Sequence, residues 1–82
     1  MEIHYTYKAA DDLERLPRDV QKRIAEKMRF YANQKDPLKF AKRLTDPAEG
    51  EFRFRIGMYR VSCDAIEGKI FVLKIAPRDK AY

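Results

Sequence analysis

Three arginines at alternating positions are the residues of this chain best suited to chemistry on an anion. In Glu51-Phe-Arg-Phe-Arg-Ile-Gly-Met-Tyr-Arg-Val-Ser-Cys63, Arg53 and Arg55 alternate with Phe52, Phe54 and Ile56, and Arg60 stands between Tyr59 and Val61. A period of two is the pattern of a half-buried strand. Gly57-Met58 interrupts it and has the composition of a two-residue hairpin turn, glycine supplying the positive φ. With that turn, Ile56 pairs with Tyr59, Arg55 with Arg60, Phe54 with Val61 and Arg53 with Ser62. Directly opposed side chains share a face of the sheet. Phe52, Phe54, Ile56, Tyr59, Val61 and Cys63 are therefore expected to face a core, and Arg53, Arg55 and Arg60 to cluster on the other side. Like charges placed opposite one another destabilise a free hairpin. Such a face either stays solvated or meets an anion, and guanidinium forks match phosphate bidentately.

The elements that must position this cluster belong to one small domain, residues 1–82. The hydrophobic fraction of 45% is that of a folded globular chain. Eighteen Lys and Arg against 13 Asp and Glu give a net charge of +5. That balance favours an acidic partner: nucleic acid, an acidic protein or a membrane surface. Cys63 is the only cysteine, so no intramolecular disulfide supports the fold, and its place in the alternation makes it a small buried hydrophobe. His4 is the only histidine and reads as a strand-surface residue. One His, one Cys and no tight carboxylate cluster predict no metal site and no cofactor. The sequence has no apolar run long enough for a membrane span and no secretory signal at its start, which predicts a cytoplasmic protein without a membrane partner.

In chain order, Glu2–Tyr7 is rich in β-formers and predicts a first strand. Thr6 is an N-cap candidate for a helix to about Leu16, with Ala9, Leu13 and Leu16 inward and Asp11, Asp12 and Glu14 outward. Pro17 separates it from a second helix, Arg18–Asn33, whose buried stripe is Val20, Ile24, Met28 and Tyr31. The outer face of that helix carries Lys22, Arg23 and Lys27. It reads either as a solvated face or as a second electropositive surface that tracks a nucleic-acid backbone. Asp36-Pro37 ends the helix. Leu38–Leu44 is expected to add a helical turn or two, with Phe40, Ala41 and Leu44 inward. Glu67-Gly68 predicts a second hairpin turn. Lys69–Ala76 is then a third strand, apolar on both faces and hence central. Its alternation leaves its register open, and Pro77 stops the ladder. The expected fold is α+β: an N-terminal strand, a helical hairpin, then a three-strand antiparallel meander with the helices packed on one face.

The order of elements resembles the RelE/ParE superfamily of toxins from type II toxin–antitoxin systems. The matching segments are Ala9-Ala-Asp-Asp-Leu-Glu-Arg-Leu16, Asp36-Pro-Leu-Lys-Phe-Ala-Lys-Arg-Leu44, Phe52-Arg-Phe-Arg-Ile-Gly-Met-Tyr-Arg-Val61 and Val72-Leu-Lys-Ile-Ala-Pro-Arg-Asp-Lys-Ala-Tyr82. The RelE branch, as the resemblance implies, cuts messenger RNA on the ribosome without metal or cofactor, the RNA's 2′-OH attacking the adjacent phosphate. Carried over by position, the catalytic residues would be Arg53, Arg55, Arg60, Arg78 and Tyr82. Lys80 would join them in binding RNA, with Lys22, Arg23 and Lys27 as a weaker surface. The ParE branch shares the fold but poisons DNA gyrase and cleaves nothing itself. A third possibility is a member that mainly binds its antitoxin. The resemblance also implies a cognate acidic antitoxin, a free monomer and a hetero-oligomer with that antitoxin. Two positions depart from the RelE pattern: Arg53 and Arg55 stand where lysines are frequent, and Pro77 where a histidine often precedes the last basic residue.

Overall fold

Thr6 turns the chain from strand to helix. Its hydroxyl accepts the Ala9 N–H at 3.1 Å, satisfying a donor that the first turn of a helix leaves without an internal partner. The computed structural model describes residues 1–78. Its elements are β1 (Glu2–Tyr5), α1 (Tyr7–Glu14), α2 (Arg18–Ala32), β2 (Lys42–Arg43), β3 (Phe52–Ile56), β4 (Tyr59–Ile66) and β5 (Lys69–Pro77), with short 3-10 turns at Pro37–Phe40 and Pro47–Glu49. The strands form one sheet in the order β1-β5-β4-β3-β2, with β1 parallel to β5 and the other pairings antiparallel. The α+β architecture is the expected one, with one strand added, β2. The meander is flanked by β1 on one side and by β2 on the other. Residues 38–44 do not extend a helix: after the 3-10 turn, Lys42 and Arg43 pair with Arg53 and Phe52. Phe40, expected inward, is 48% exposed, because the chain leaves the helical path at Ala41 to reach the sheet edge.

The core lies between the helices and one face of the sheet. Ala9 of α1 and Ile24, Met28, Tyr31 and Ala32 of α2 pack with Phe54, Ile56, Val61, Cys63, Ile70, Val72 and Ile75. Tyr31 stacks on Phe54 with ring centroids 5.0 Å apart, and burial raises the Tyr31 phenol above its usual pKa. Both hairpins have the expected turns, of two different kinds. At Gly57-Met58 only the glycine has positive φ, +58°, the pattern of a type II′ turn. At Glu67-Gly68 both residues do, +48° and +78°, the pattern of type I′.

The apolar run of β5 has a geometric explanation. Cys63 opposes Val72 but Ser62 opposes Lys74, so Leu73 is an extra residue in β5. This bulge lets Ile70 and Val72 on one side of it, and Ile75 on the other, all be buried despite the change of parity. Beyond Val72 the edge of β5 has outrun β1, and α1 covers it. Asp12 Oδ2 accepts the Ile75 N–H at 3.0 Å. Asp12 thus turns toward the sheet, its side chain 11% exposed, and does not lie on the solvated face expected from the helical pattern. Burial works against its charge, but the Lys8 ammonium and the Ile75 N–H outweigh that and hold the carboxyl below its usual range.

Asp12→Asn should cost about 1–2 kcal/mol near neutral pH, the scale for a hydrogen bond to a charged acceptor. Because the folded-state pKa is depressed, the stabilisation is complete above the unfolded value of about 4 and is lost as pH falls through the lower folded value. Urea denaturation of both proteins between pH 7 and pH 3 should show the gap closing toward the acid end. A second expected outcome concerns Glu67, an L-residue in left-handed backbone. Glu67→Asn should raise stability by about 0.5–1 kcal/mol, since asparagine tolerates that conformation better. The same denaturation assay at a single pH checks it.

Candidate functional site

Burial of one face of the β3–β4 hairpin decides the other. Ile56 pairs with Tyr59, Phe54 with Val61 and Phe52 with Cys63 on the core side, while Arg55 pairs with Arg60 and Arg53 with Ser62 on the open side. The register is the one the Gly57-Met58 turn predicts. Side chains directly opposite stand about 5 Å apart at Cβ, so Arg55 and Arg60 project in parallel from neighbouring strands.

Two further cations come to the same place. Lys42 of β2 pairs with Arg53 and so projects from the same face. The two residues of β2 divide between the sides of the sheet: the Arg43 guanidinium lies 5.6 Å over the Phe52 ring. At the other end, the Arg78 N–H donates to Met58 O at 2.7 Å. This hydrogen bond follows Pro77, the last residue of the ladder, and fixes Arg78 beside the β3–β4 turn. Lys42, Arg53, Arg55, Arg60 and Arg78 together line a concavity of about 270 Å³. Among the described residues, those that line it are all cationic. Arg53 and Arg60 are half-buried, and Lys42, Arg55 and Arg78 are exposed. Lys74, opposite Ser62, adds an exposed cation farther along this face.

The structure therefore brings Arg53, Arg55, Arg60 and Arg78 together, as the sequence reading expects. Lys80 and Tyr82 lie outside the described residues. Lys42 escaped that reading because a two-residue strand is too short to show alternation and Leu38–Leu44 has a helical pattern. The Lys42-Arg43 pair shortly before a strong strand was the available signal. Lys22, Arg23 and Lys27 of α2 are not among the residues that line the concavity. Lys22 lines a groove with Leu13, Arg18, Gln21 and Ala25. Arg23 reaches the β3–β4 turn, its Nη1 3.7 Å from where a Cβ on Gly57 would stand. Lys27 Nζ lies 5.2 Å over the Phe30 ring and 5.4 Å over that of Tyr31.

Two other reactive residue types have structural surroundings. Cys63 is buried, and desolvation, with a contribution from the Asp64 carboxylate, pushes its thiol up to about 12. It is protonated and inaccessible at neutral pH, hence a poor nucleophile. His4, on β1, stacks on Phe71 with centroids 5.3 Å apart.

What the concavity can do follows from its composition. Guanidinium groups on adjacent strands offer fixed, planar donor forks to a phosphate. They can bind a resting phosphodiester, and they can stabilise the additional charge that develops on its oxygens during in-line attack.

Residues 3–82 match the model of a family described as the ParE toxin of type II toxin–antitoxin system, parDE. None of the curated proteins matches the chain significantly. Among solved structures, the fold is similar to a chain of the toxin–antitoxin complex RelBE2 from Mycobacterium tuberculosis, with a TM-score of 0.79 and 25% identity over 94% of this chain and 90% of that one. It is also similar to a chain of the RelB–RelE antitoxin–toxin complex from Methanococcus jannaschii, with a TM-score of 0.69 and 20% identity over 96% of this chain and 94% of that one. A family match across nearly the whole sequence, on this fold, shows that the chain belongs to the RelE/ParE family of toxins from type II toxin–antitoxin systems.

Proposed function

We propose that this toxin is an endoribonuclease of the RelE kind, which cuts messenger RNA on the ribosome, inhibits translation and is held in check by a cognate antitoxin. The supporting observation is the concavity lined by Lys42, Arg53, Arg55, Arg60 and Arg78. In this reading the 2′-oxygen of one nucleotide bonds to the adjacent phosphorus while the bond from phosphorus to the 5′-oxygen breaks. The products are a 2′,3′-cyclic phosphate and a 5′-OH. Arg53, Arg55, Arg60 and Arg78 hold the phosphoryl oxygens where negative charge accumulates. Arginine is a poor proton acceptor. The 2′-OH proton therefore leaves to solvent, to a ribosomal group, or to Lys80 or Tyr82 in its deprotonated form, and the departing 5′-oxygen takes up a proton from solvent. Tyr82 would also stack on a splayed base, a contact worth about 1–3 kcal/mol. The protein works in the cytoplasm, as a monomer when free and as a hetero-oligomer with its antitoxin.

A second reading is favoured by the family whose model matches, ParE. In it the toxin binds and poisons DNA gyrase and cuts no RNA. The two readings part at the arginine pair. In the nuclease reading, Arg55→Ala and Arg60→Ala should each lower mRNA cleavage by about a hundredfold, the scale for losing one preorganised donor. Arg55→Ala should leave the fold as stable as before, or up to ~0.5 kcal/mol more stable, because it removes cross-strand repulsion. Arg60→Lys should recover only part of the activity, since a point charge lacks the bidentate fork. The measurement is growth arrest combined with mapping of mRNA 5′ ends. Unchanged toxicity in both alanine variants, with no cleavage by the wild type and with DNA damage instead, would establish the gyrase reading.

A further inference from the structure

The helix layer carries a second feature that the concavity does not use. Phe30 of α2 is 51% exposed and Phe40, in the 3-10 turn after it, is 48% exposed. Their rings meet edge to face at 6.4 Å. Beneath them Tyr31 stacks on Phe40 at 5.3 Å and on Phe54 at 5.0 Å. The exposed pair is thus the outer end of an aromatic column rooted in the core, which fixes its position. Next to Phe40 lies a hollow of about 570 Å³, lined also by Gln34, Lys35, Asp36 and Lys39. The Lys27 ammonium lies 5.2 Å over the Phe30 ring.

Two large aromatic rings left half in water by a small domain mark an interaction surface. Rigid aromatic side chains beside a hollow are the type of anchor that carries binding energy in protein interfaces. The surrounding charge selects the occupant. Lys27, Lys35 and Lys39 outnumber Asp36, so an acidic segment is attracted and a basic one repelled.

We propose that the Phe30–Phe40 surface is where the antitoxin anchors: a short amphipathic segment, with apolar residues at helical or strand spacing flanked by Asp or Glu, seats on the two rings and in the adjacent hollow. This rests on the toxin–antitoxin reading. It adds a docking site on the helix layer, away from the cationic concavity of the sheet. An antitoxin held here keeps its grip without competing directly with phosphate for the arginines.

The test uses the product of the open reading frame adjacent to the toxin gene as the probe. Its dissociation constant is measured for the wild-type chain, for Phe30→Ser/Phe40→Ser, and for Lys35→Glu/Lys39→Glu. The aromatic double variant should bind at least a hundredfold more weakly, as expected for losing two interface anchors. Thermal denaturation accompanies it, because Phe40 also supports Tyr31. The charge reversal leaves the aromatic column intact. It should bind about tenfold more weakly, mainly through a slower on-rate that salt abolishes. Binding unchanged in the charge-reversal variant and in a folded aromatic variant overturns the docking site while leaving the toxin–antitoxin pairing in place. No binding to the wild type overturns both. Sedimentation of the free chain supplies the other control. A wild-type dimer that the aromatic substitutions convert to monomer would assign the surface to self-association and overturn the proposal.

Discussion

Burial of Phe54 and Val61 between the sheet and α2 determines which way every arginine of the β3–β4 hairpin points. The side chains of a strand alternate, so no register places Phe54, Ile56 and Val61 inward and leaves the arginines anywhere but on the opposite face. The energies favour this arrangement clearly. A fully buried large apolar side chain is worth about 1.5–3 kcal/mol, and the hairpin buries Phe54, Ile56, Val61 and Cys63. The repulsion between two solvated charges at hairpin spacing is on the order of 1 kcal/mol. The core therefore imposes the Arg55–Arg60 pair on the open face.

The concavity needs more than the hairpin. Its far wall is Lys42, supplied by a strand of two residues, and its end is Arg78, supplied by the segment that follows β5. Both depend on how the sheet is completed. The bulge at Leu73 realigns β5 so that Ile75 is buried and the strand runs on to Pro77 beside Tyr59. Asp12 accepts the Ile75 N–H on the side that β1 does not reach. A carboxylate on the first helix thus helps hold the strand that delivers Arg78 to the site.

The two sides of the molecule differ in chemistry as a result. The open face of the sheet gathers guanidinium and ammonium groups at the concavity, which suits a polyanion. The helix layer instead ends in exposed aromatic rings with lysines around them, which suits a protein segment. In the proposed reading one surface serves the target and the other the antitoxin. Placing them on different layers allows each to be built from its own residues.

Much of this was legible in the sequence, because it depends on local rules. The period of two over residues 52–63, interrupted by Gly57, contains the faces and the register of the hairpin, and hence the clustering of Arg53, Arg55 and Arg60. Thr6, Pro17 and the Ile24, Met28 and Tyr31 spacing contain the helical hairpin in the same way. The fold family was legible too, in segments spread along the chain. Tertiary structure alone decided four things. Lys42 entered the site because a sheet edge captured a segment whose own pattern was helical. Phe40 came to the surface when that capture pulled the chain out of the helix. Leu73 became a bulge because Ile70, Val72 and Ile75 all had to be buried. Asp12 turned inward because β1 was too short to satisfy Ile75. In each case the deciding partner lies far away along the chain, and the preference of the local segment was weaker than burial or a missing hydrogen bond.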